Sequence, residues 1–278
     1  MKPLEIHHLC KFYPAFRLED VSFSVEQGEI MGFIGRNGAG KTTTLKCLLN
    51  FVHPDGGEAR FFGQPLQQAE SAIKQRIGFV SGGVDAYARK KLSVLSGVTK
   101  SFYENWDDAA YRRFMERFHL DENKSQLQLS AGMRVKYALA LAMSHHAELL
   151  ILDEPTSGLD PVSRDDLLDE FLALSREGVS ILFSTHITSD LDKCADSITY
   201  IRQGRVQTSM PLRDFVNGYR YLVLAENQLT DELRSRLIGL KPAKQGFTAL
   251  IKAQDAQTLG LPGEPATLET AMIHLEKE

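Results

Sequence analysis

Gly35-Arg36-Asn37-Gly38-Ala39-Gly40-Lys41-Thr42 decides the reading of this chain. The stretch fits the pattern G-x-x-x-x-G-K-[ST]. It stands between a short apolar run, Glu29 to Ile34, and a segment of helical periodicity, Lys41 to Phe51. Glycines let a backbone wrap closely with its N–H groups pointing inward, which makes a nest for an anion. A helix that starts there adds its positive N-terminal end. In that arrangement Gly35, Asn37, Gly38, Ala39 and Gly40 form the cradle and Lys41 reaches the β- and γ-phosphates of a nucleoside triphosphate. Thr42 offers its hydroxyl to Mg2+, and Thr43 adds a further phosphate contact. A glycine-rich turn with no ligand is the bland alternative. The strand before and the helix after are the context that phosphate binding requires.

Outward from the loop, Leu149-Leu150-Ile151-Leu152-Asp153-Glu154 is an aliphatic run closed by two acids. Acids often follow a strand simply to open a loop. In an open α/β sheet, however, ligands bind at the carboxyl ends of the strands. Beside the phosphate loop the pair reads as Asp153 holding Mg2+ and Glu154 orienting and polarising an attacking water.

Strand patterns also cover Leu4–Leu9, Leu18–Val25, Glu58–Phe62, Val179–Ser184 and Ser197–Ile201. Helical periodicity covers Leu92–Tyr103, Asp107–Phe118, Gly132–Ser144 and Ser163–Ser175, with Asp107 as an N-cap. Strand–helix alternation around a helical insert gives an α/β fold with a separate helical subdomain. After about Phe215 the pattern resets, with strands expected at Tyr219–Ala225 and Phe247–Ala253 and helices at Thr230–Leu237 and Leu268–Leu275. This is expected to be a small appended α/β unit.

The bulk numbers narrow the class. A net charge of -4 gives no electrostatic case for nucleic-acid binding. Cys10, Cys47 and Cys194 are far apart and odd in number, which fits a reducing compartment and neither a metal site nor a disulfide framework. The start, Met1-Lys2-Pro3, is unlike a signal peptide, and no run of about 18 apolar residues offers a membrane span.

Further segments follow in order. Leu129-Ser130-Ala131-Gly132-Met133 opens a helix shortly before the acidic pair, Ser157-Gly158-Leu159-Asp160 comes directly after it, and Ser184-Thr185-His186 ends a strand. Tyr13 lies upstream of the phosphate loop. This set resembles the ATP-binding cassette of ABC transporters from about residue 3 to 215. The resemblance implies a P-loop NTPase cassette with a RecA-like core, an antiparallel β subdomain and a helical subdomain at about 83–146, followed by a C-terminal accessory region at 216–278. It implies that Tyr13 stacks on adenine, with Phe12 and Phe16 as competitors for the role. Ser130 and Gly132 occupy the signature motif that binds the γ-phosphate of ATP held by the opposing subunit, and Ser130 is an N-cap at the same time. Asp160 belongs to the loop that links the two sites across a dimer, and His186 contacts the γ-phosphate and helps hold the attacking water.

Two departures stand out. Ala131 and Met133 replace a glycine and a glutamine of the usual signature, while the hydroxyl of Ser130 and the bare backbone of Gly132 are kept. Upstream, Gly82 stands where the family has a glutamine, so that either water completes the metal shell or Ser81 or Asp85 substitutes. The implied partners are a multi-spanning permease subunit on another chain and a second cassette, identical or not. The implied location is the cytoplasmic face of the membrane. The signature variant and the end of the chain look most like bacterial exporters of peptide antibiotics and amphipathic peptides such as phenol-soluble modulins. A soluble cassette of the iron–sulfur assembly type is the other expectation.

Overall fold

The computed structural model describes residues 1–81 and 87–277. The chain divides into two compact units, one of Met1–His186 with Ile198–Ser209 and one of Ile187–Ser197 with Met210–Glu278.

The first unit holds β1 (Leu4–Tyr13), β2 (Phe16–Val25), β3 (Ile30–Ile34), α1 (Lys41–Leu48), β4 (Gly56–Phe61), β5 (Gln64–Pro65), α2 (Leu66–Lys74) and β6 (Ile77–Ser81). It continues with α3 (Leu92–Lys100), α4 (Asp108–Arg117), α5 (Ala131–Ser144), β7 (Leu149–Asp153), α6 (Pro161–Arg176), β8 (Ser180–Thr185), β9 (Ser197–Arg202) and β10 (Arg205–Pro211). An antiparallel sheet runs in the order β2-β1-β4-β5, and a second sheet in the order β10-β9-β3-β8-β7-β6. In the second sheet β3, β8, β7 and β6 are parallel neighbours. A parallel sheet covered on both faces needs strands that are apolar throughout. Leu149 to Leu152 and Ile181 to Phe183 meet that demand and are wholly buried. The core continues without a break into the antiparallel sheet, with Leu4, Leu18 and Val21 joining Phe33, Leu45, Leu182 and Ile201 in one cluster. Each such side chain contributes about 1.5–3 kcal/mol on leaving water.

The helical insert is capped as its sequence demands. Asp107 accepts hydrogen bonds from the N–H groups of Ala109 and Ala110, and Ser130 accepts one from Met133. Its interior is partly polar, and three hydroxyls there bond to one another. The Ser96 hydroxyl lies 2.7 Å from the Tyr111 hydroxyl and 2.9 Å from that of Tyr137, and Tyr137 donates to the Leu92 carbonyl. Leu92 is fully buried in this interior. Phe102 and Tyr103 line a groove of about 580 Å³ with Glu70, Ser71, Lys74 and Gln75, and Phe102 is 71% exposed.

The second unit contains α7 (Thr188–Cys194), α8 (Leu212–Asn217), β11 (Tyr219–Leu224), α9 (Asp231–Arg234), β12 (Ile238–Pro242), β13 (Phe247–Lys252), α10 (Ala253–Thr258), β14 (Glu264–Pro265) and α11 (Leu268–Leu275). Its antiparallel sheet has the order β12-β13-β11-β14 over a small core of Leu222, Leu224, Leu233, Ile251 and Ala256. The helix expected over Thr230–Leu237 is one short turn, because the chain straightens at Ile238 to pair with β13. The helix expected over Lys41–Phe51 ends at Leu48, and Asn50 turns the chain at φ 58°.

One histidine makes the first unit acid-sensitive. His145 is buried, stacks on Tyr103 with ring centroids 3.7 Å apart, and meets the Gln75 carbonyl through Nδ1 at 3.0 Å. Burial pushes its pKa down to about 4. A histidine whose folded pKa is depressed binds fewer protons than its unfolded counterpart, so its contribution is complete above the unfolded pKa and is lost as pH falls toward the folded one. Urea midpoints should therefore fall on acidification between about pH 6.5 and pH 4, by the equivalent of roughly 3 kcal/mol. His145→Phe, which keeps a ring on Tyr103, should flatten that limb.

Candidate functional site

The phosphate loop joins β3 to α1. Gly35 passes so close to β9 that a side chain there would place its Cβ 2.3 Å from the Ile201 carbonyl oxygen. Gly40, at φ 117°, caps α1 with no side-chain acceptor, which leaves the first N–H groups of the helix to an outside anion. Lys41 is only 5% exposed. Its Nζ donates to the Gly35 carbonyl at 2.6 Å and lies 3.3 Å from Glu154 Oε1. Folding therefore ties the loop to the acidic pair through one buried cation.

The acids sit where β7 ends. Asp153 Oδ1 accepts a short bond from Ser184 Oγ, 2.6 Å, and a long one from Thr42 Oγ1, 3.3 Å. Glu154 adopts φ 51°, an unusual conformation for a residue with a side chain. Its N–H is shared between the Ser184 carbonyl at 3.1 Å and the Ser184 hydroxyl at 3.2 Å. On its other side, His186 Nδ1 donates to Glu154 Oε2 at 2.9 Å, since an ionised carboxylate can only accept. Parallel register sets this up. Ile34 pairs with Thr185 and Asp153 with Ser184, so the ends of β3, β8 and β7 lie side by side.

The resulting cleft of about 590 Å³ is lined by the loop residues Arg36, Asn37, Gly38, Gly40, Lys41, Thr42 and Thr43, and by Ala15, Phe16, Glu154, Ser157 and His186. That size falls within the roughly 300–1,000 Å³ of small-molecule sites. Ala39 is buried behind the loop, where its carbonyl accepts from Gly204 N. Of the aromatic candidates, Phe16 lines the cleft, while Tyr13 pairs with it across the Pro14-Ala15 turn and carries Lys11 5.6 Å above its ring. Ser130, Gly132 and Asp160 are not among the lining residues. Ser130 is exposed at the N-cap of α5, and a methyl group at the buried Gly132 would lie 3.4 Å from Ser163 Cβ, in ordinary contact. Packing within the chain therefore does not explain a glycine there. Asp160 Oδ1 caps α6 by accepting from Val162 N and Ser163 N, and its hydrogen bonds with Ser163 lower its pKa. Ser81 stands opposite Asp153 in the β6–β7 register, whereas Gly82 and Asp85 lie outside the described residues.

Phe16 enters the sequence reading only as a competitor of Tyr13, and Ser157 and Ser184 only as members of longer segments with no role of their own. A register argument would have found Ser184, because an alternative to solvent for Asp153 has to come from the neighbouring strand. The oxygens of Thr42 and Asp153 suit a hard cation that takes one carboxylate and keeps most of its shell for water and phosphate. Among the described residues no three His, Cys, Asp or Glu side chains gather to hold an ion by themselves.

Residues 18–157 match the ABC transporter family. The bacitracin transport ATP-binding protein BcrA of Bacillus licheniformis is 32% identical over 232 residues, covering 81% of this chain and 74% of that protein. The Nod factor export ATP-binding protein I of Burkholderia orbicola is 34% identical over 214 residues, covering 73% of this chain and 69% of that one. A solved ATP-binding subunit of an ABC transporter superposes with a TM-score of 0.69 at 29% identity, covering 77% of this chain and 91% of that structure. The chain belongs to the ABC transporter family, as an ATP-binding subunit that hydrolyses ATP.

Proposed function

We propose that the chain drives a bacterial exporter of peptide or antibiotic-like compounds, as one of two cassettes that close on ATP between them. The observation that carries the reading is the convergence of Lys41, Glu154 and His186 on one cleft at the ends of three parallel strands, with Asp153 at the end of β7 bonded to Thr42 of the cleft wall. In the closed pair, the loop residues Gly35 to Thr43 hold the phosphates of ATP, and Tyr13 or Phe16 covers the base. Ser130 and Gly132 of the opposing cassette reach the γ-phosphate, and Asp160 links the two sites. The bare backbone of Gly132, which intrachain packing does not require, supports an approach from outside the chain.

Thr42 and Asp153 are the residues to hold Mg2+, which when bound neutralises charge on the β- and γ-phosphate oxygens. Glu154 takes the role of orienting and polarising the attacking water. His186, hydrogen-bonded to Glu154, steadies that carboxylate and faces the same cleft. Lys41 exchanges its contact with Glu154 for phosphate, which frees the carboxylate for water. Nucleotide arrival is thereby coupled to readiness of the base.

No helix among the described residues is long and apolar enough to cross a membrane. Transport then calls for a permease on another chain, with this subunit held at the cytoplasmic face. The groove with Phe102 and Tyr103 offers that permease two aromatic side chains beside the polar Glu70, Ser71, Lys74 and Gln75, and Phe51 and Phe79 form an edge-to-face pair beside Lys74. The bacitracin and Nod factor relatives support export, and a role in iron–sulfur assembly finds no support among them.

Glu154→Gln should lower ATP turnover by about 100-fold or more and leave a stable ATP-dependent dimer on gel filtration. Native turnover in that variant would remove Glu154 from its role. Lys41→Ala should weaken ATP binding at least about tenfold in calorimetry. Phe102→Asp should reduce recovery of a membrane protein in pull-downs from detergent extracts, with basal ATPase within about twofold of native.

A further inference from the structure

We infer that Ser184 is a positioning residue of the hydrolytic site, and that its single hydroxyl sets the two acidic residues as one rigid piece. The inference rests on the roles given above to Asp153 and Glu154.

Ser184 ends the apolar run of β8 and is fully buried. A serine there has to satisfy its hydroxyl inside the protein, because an unpaired buried hydroxyl is costly. Its proton goes to Asp153 Oδ1 at 2.6 Å. This is the short, charge-assisted class of hydrogen bond, about twice as strong as a neutral one. The bond from Thr42 to the same oxygen is 3.3 Å, too long to fix the carboxylate alone. With Oδ1 committed to Ser184, the rotation of the Asp153 carboxylate is set, and Oδ2 is the oxygen left for a cation.

The lone pairs of the same hydroxyl face the other acid. Glu154 N–H points at Ser184 Oγ, 3.2 Å away, and at the Ser184 carbonyl, 3.1 Å away. This three-centre contact sits where Glu154 is forced to φ 51°. Such a backbone persists only where its surroundings over-determine it. Ser184 provides that constraint, and with it the direction in which the Glu154 side chain leaves the strand toward Lys41 and His186. Removing the hydroxyl should therefore disturb the cation ligand and the water-orienting carboxylate together, while the phosphate loop stays whole.

The test uses the full-length chain, with Ser184→Ala, Ser184→Cys and Ser184→Thr measured beside Glu154→Gln. Residues that hydrogen-bond to a metal ligand are worth about 10–100-fold in metal affinity or activity. Ser184→Ala and Ser184→Cys should lower kcat by at least about tenfold and raise the Mg2+ concentration for half-maximal turnover by a similar factor. Mn2+ binding to the nucleotide complex, followed by paramagnetic resonance, should weaken in step. Affinity for ATP measured in EDTA should stay within about twofold, because Gly35 to Lys41 are untouched. Ser184→Thr, which keeps the hydroxyl on a strand that accepts a β-branched residue, should recover most of the loss. The inference is overturned if Ser184→Ala turns over within twofold of native, or if ATP affinity in EDTA falls as far as kcat. It is equally overturned if folded Ser184→Thr is as slow as Ser184→Ala. If Glu154→Gln also turns over at the native rate, the parent reading of the acidic pair fails as well. A loss in Glu154→Gln alone leaves that reading standing without Ser184.

Discussion

The alignment of three parallel strand ends governs this molecule. β3, β8 and β7 run side by side in register, so that the phosphate loop, Ser184 to His186 and the Asp153–Glu154 pair open onto one line. Lys41 then closes the arrangement as a buried cation between a loop carbonyl and Glu154. A buried charge is tolerable only with such partners. The loop cannot take another shape without stranding the ammonium, and the end of β7 cannot shift without losing it. The apolar interiors of these strands hold the register, because a one-residue slip would break every cross-strand contact at once.

Much of this was legible from residue order. The glycine loop carries a steric rule, the aliphatic run before Asp153 carries a burial rule, and the helical insert announces itself by period and by its caps at Asp107 and Ser130. Features set by tertiary packing were not legible. Ser184 looks like any serine at the end of a strand until register puts it against Asp153. Leu92 and Phe102 share an apolar character in sequence, yet one fills the insert and the other faces solvent. Helical propensity runs on through Leu237, yet the helix is the short turn Asp231–Arg234, because pairing of β12 with β13 overrides it. The exchange of glutamine for Gly82 is plain in the sequence, and its consequence lies beyond the described residues.

Hydrolysis and mechanical work meet in a small set of contacts. Glu154 has Lys41 on one side, His186 on the other and Ser184 beneath its backbone, so each neighbour reports a different event. Lys41 is buried against the loop, His186 stands exposed in the cleft, and Ser184 belongs to the sheet. Ser130 and Gly132 stand at the start of a helix and do not line the chain's own nucleotide cleft.

The parallel sheet also has an unfinished side. β6 is the last strand in its row, and Phe79 on it is partly exposed beside Phe51. An edge strand with partly exposed aromatic side chains can act as a template for unwanted association. Overproduced in isolation, the polypeptide would be prone to clump along that margin. Synthesis in step with whatever covers it is then a matter of solubility as much as of stoichiometry.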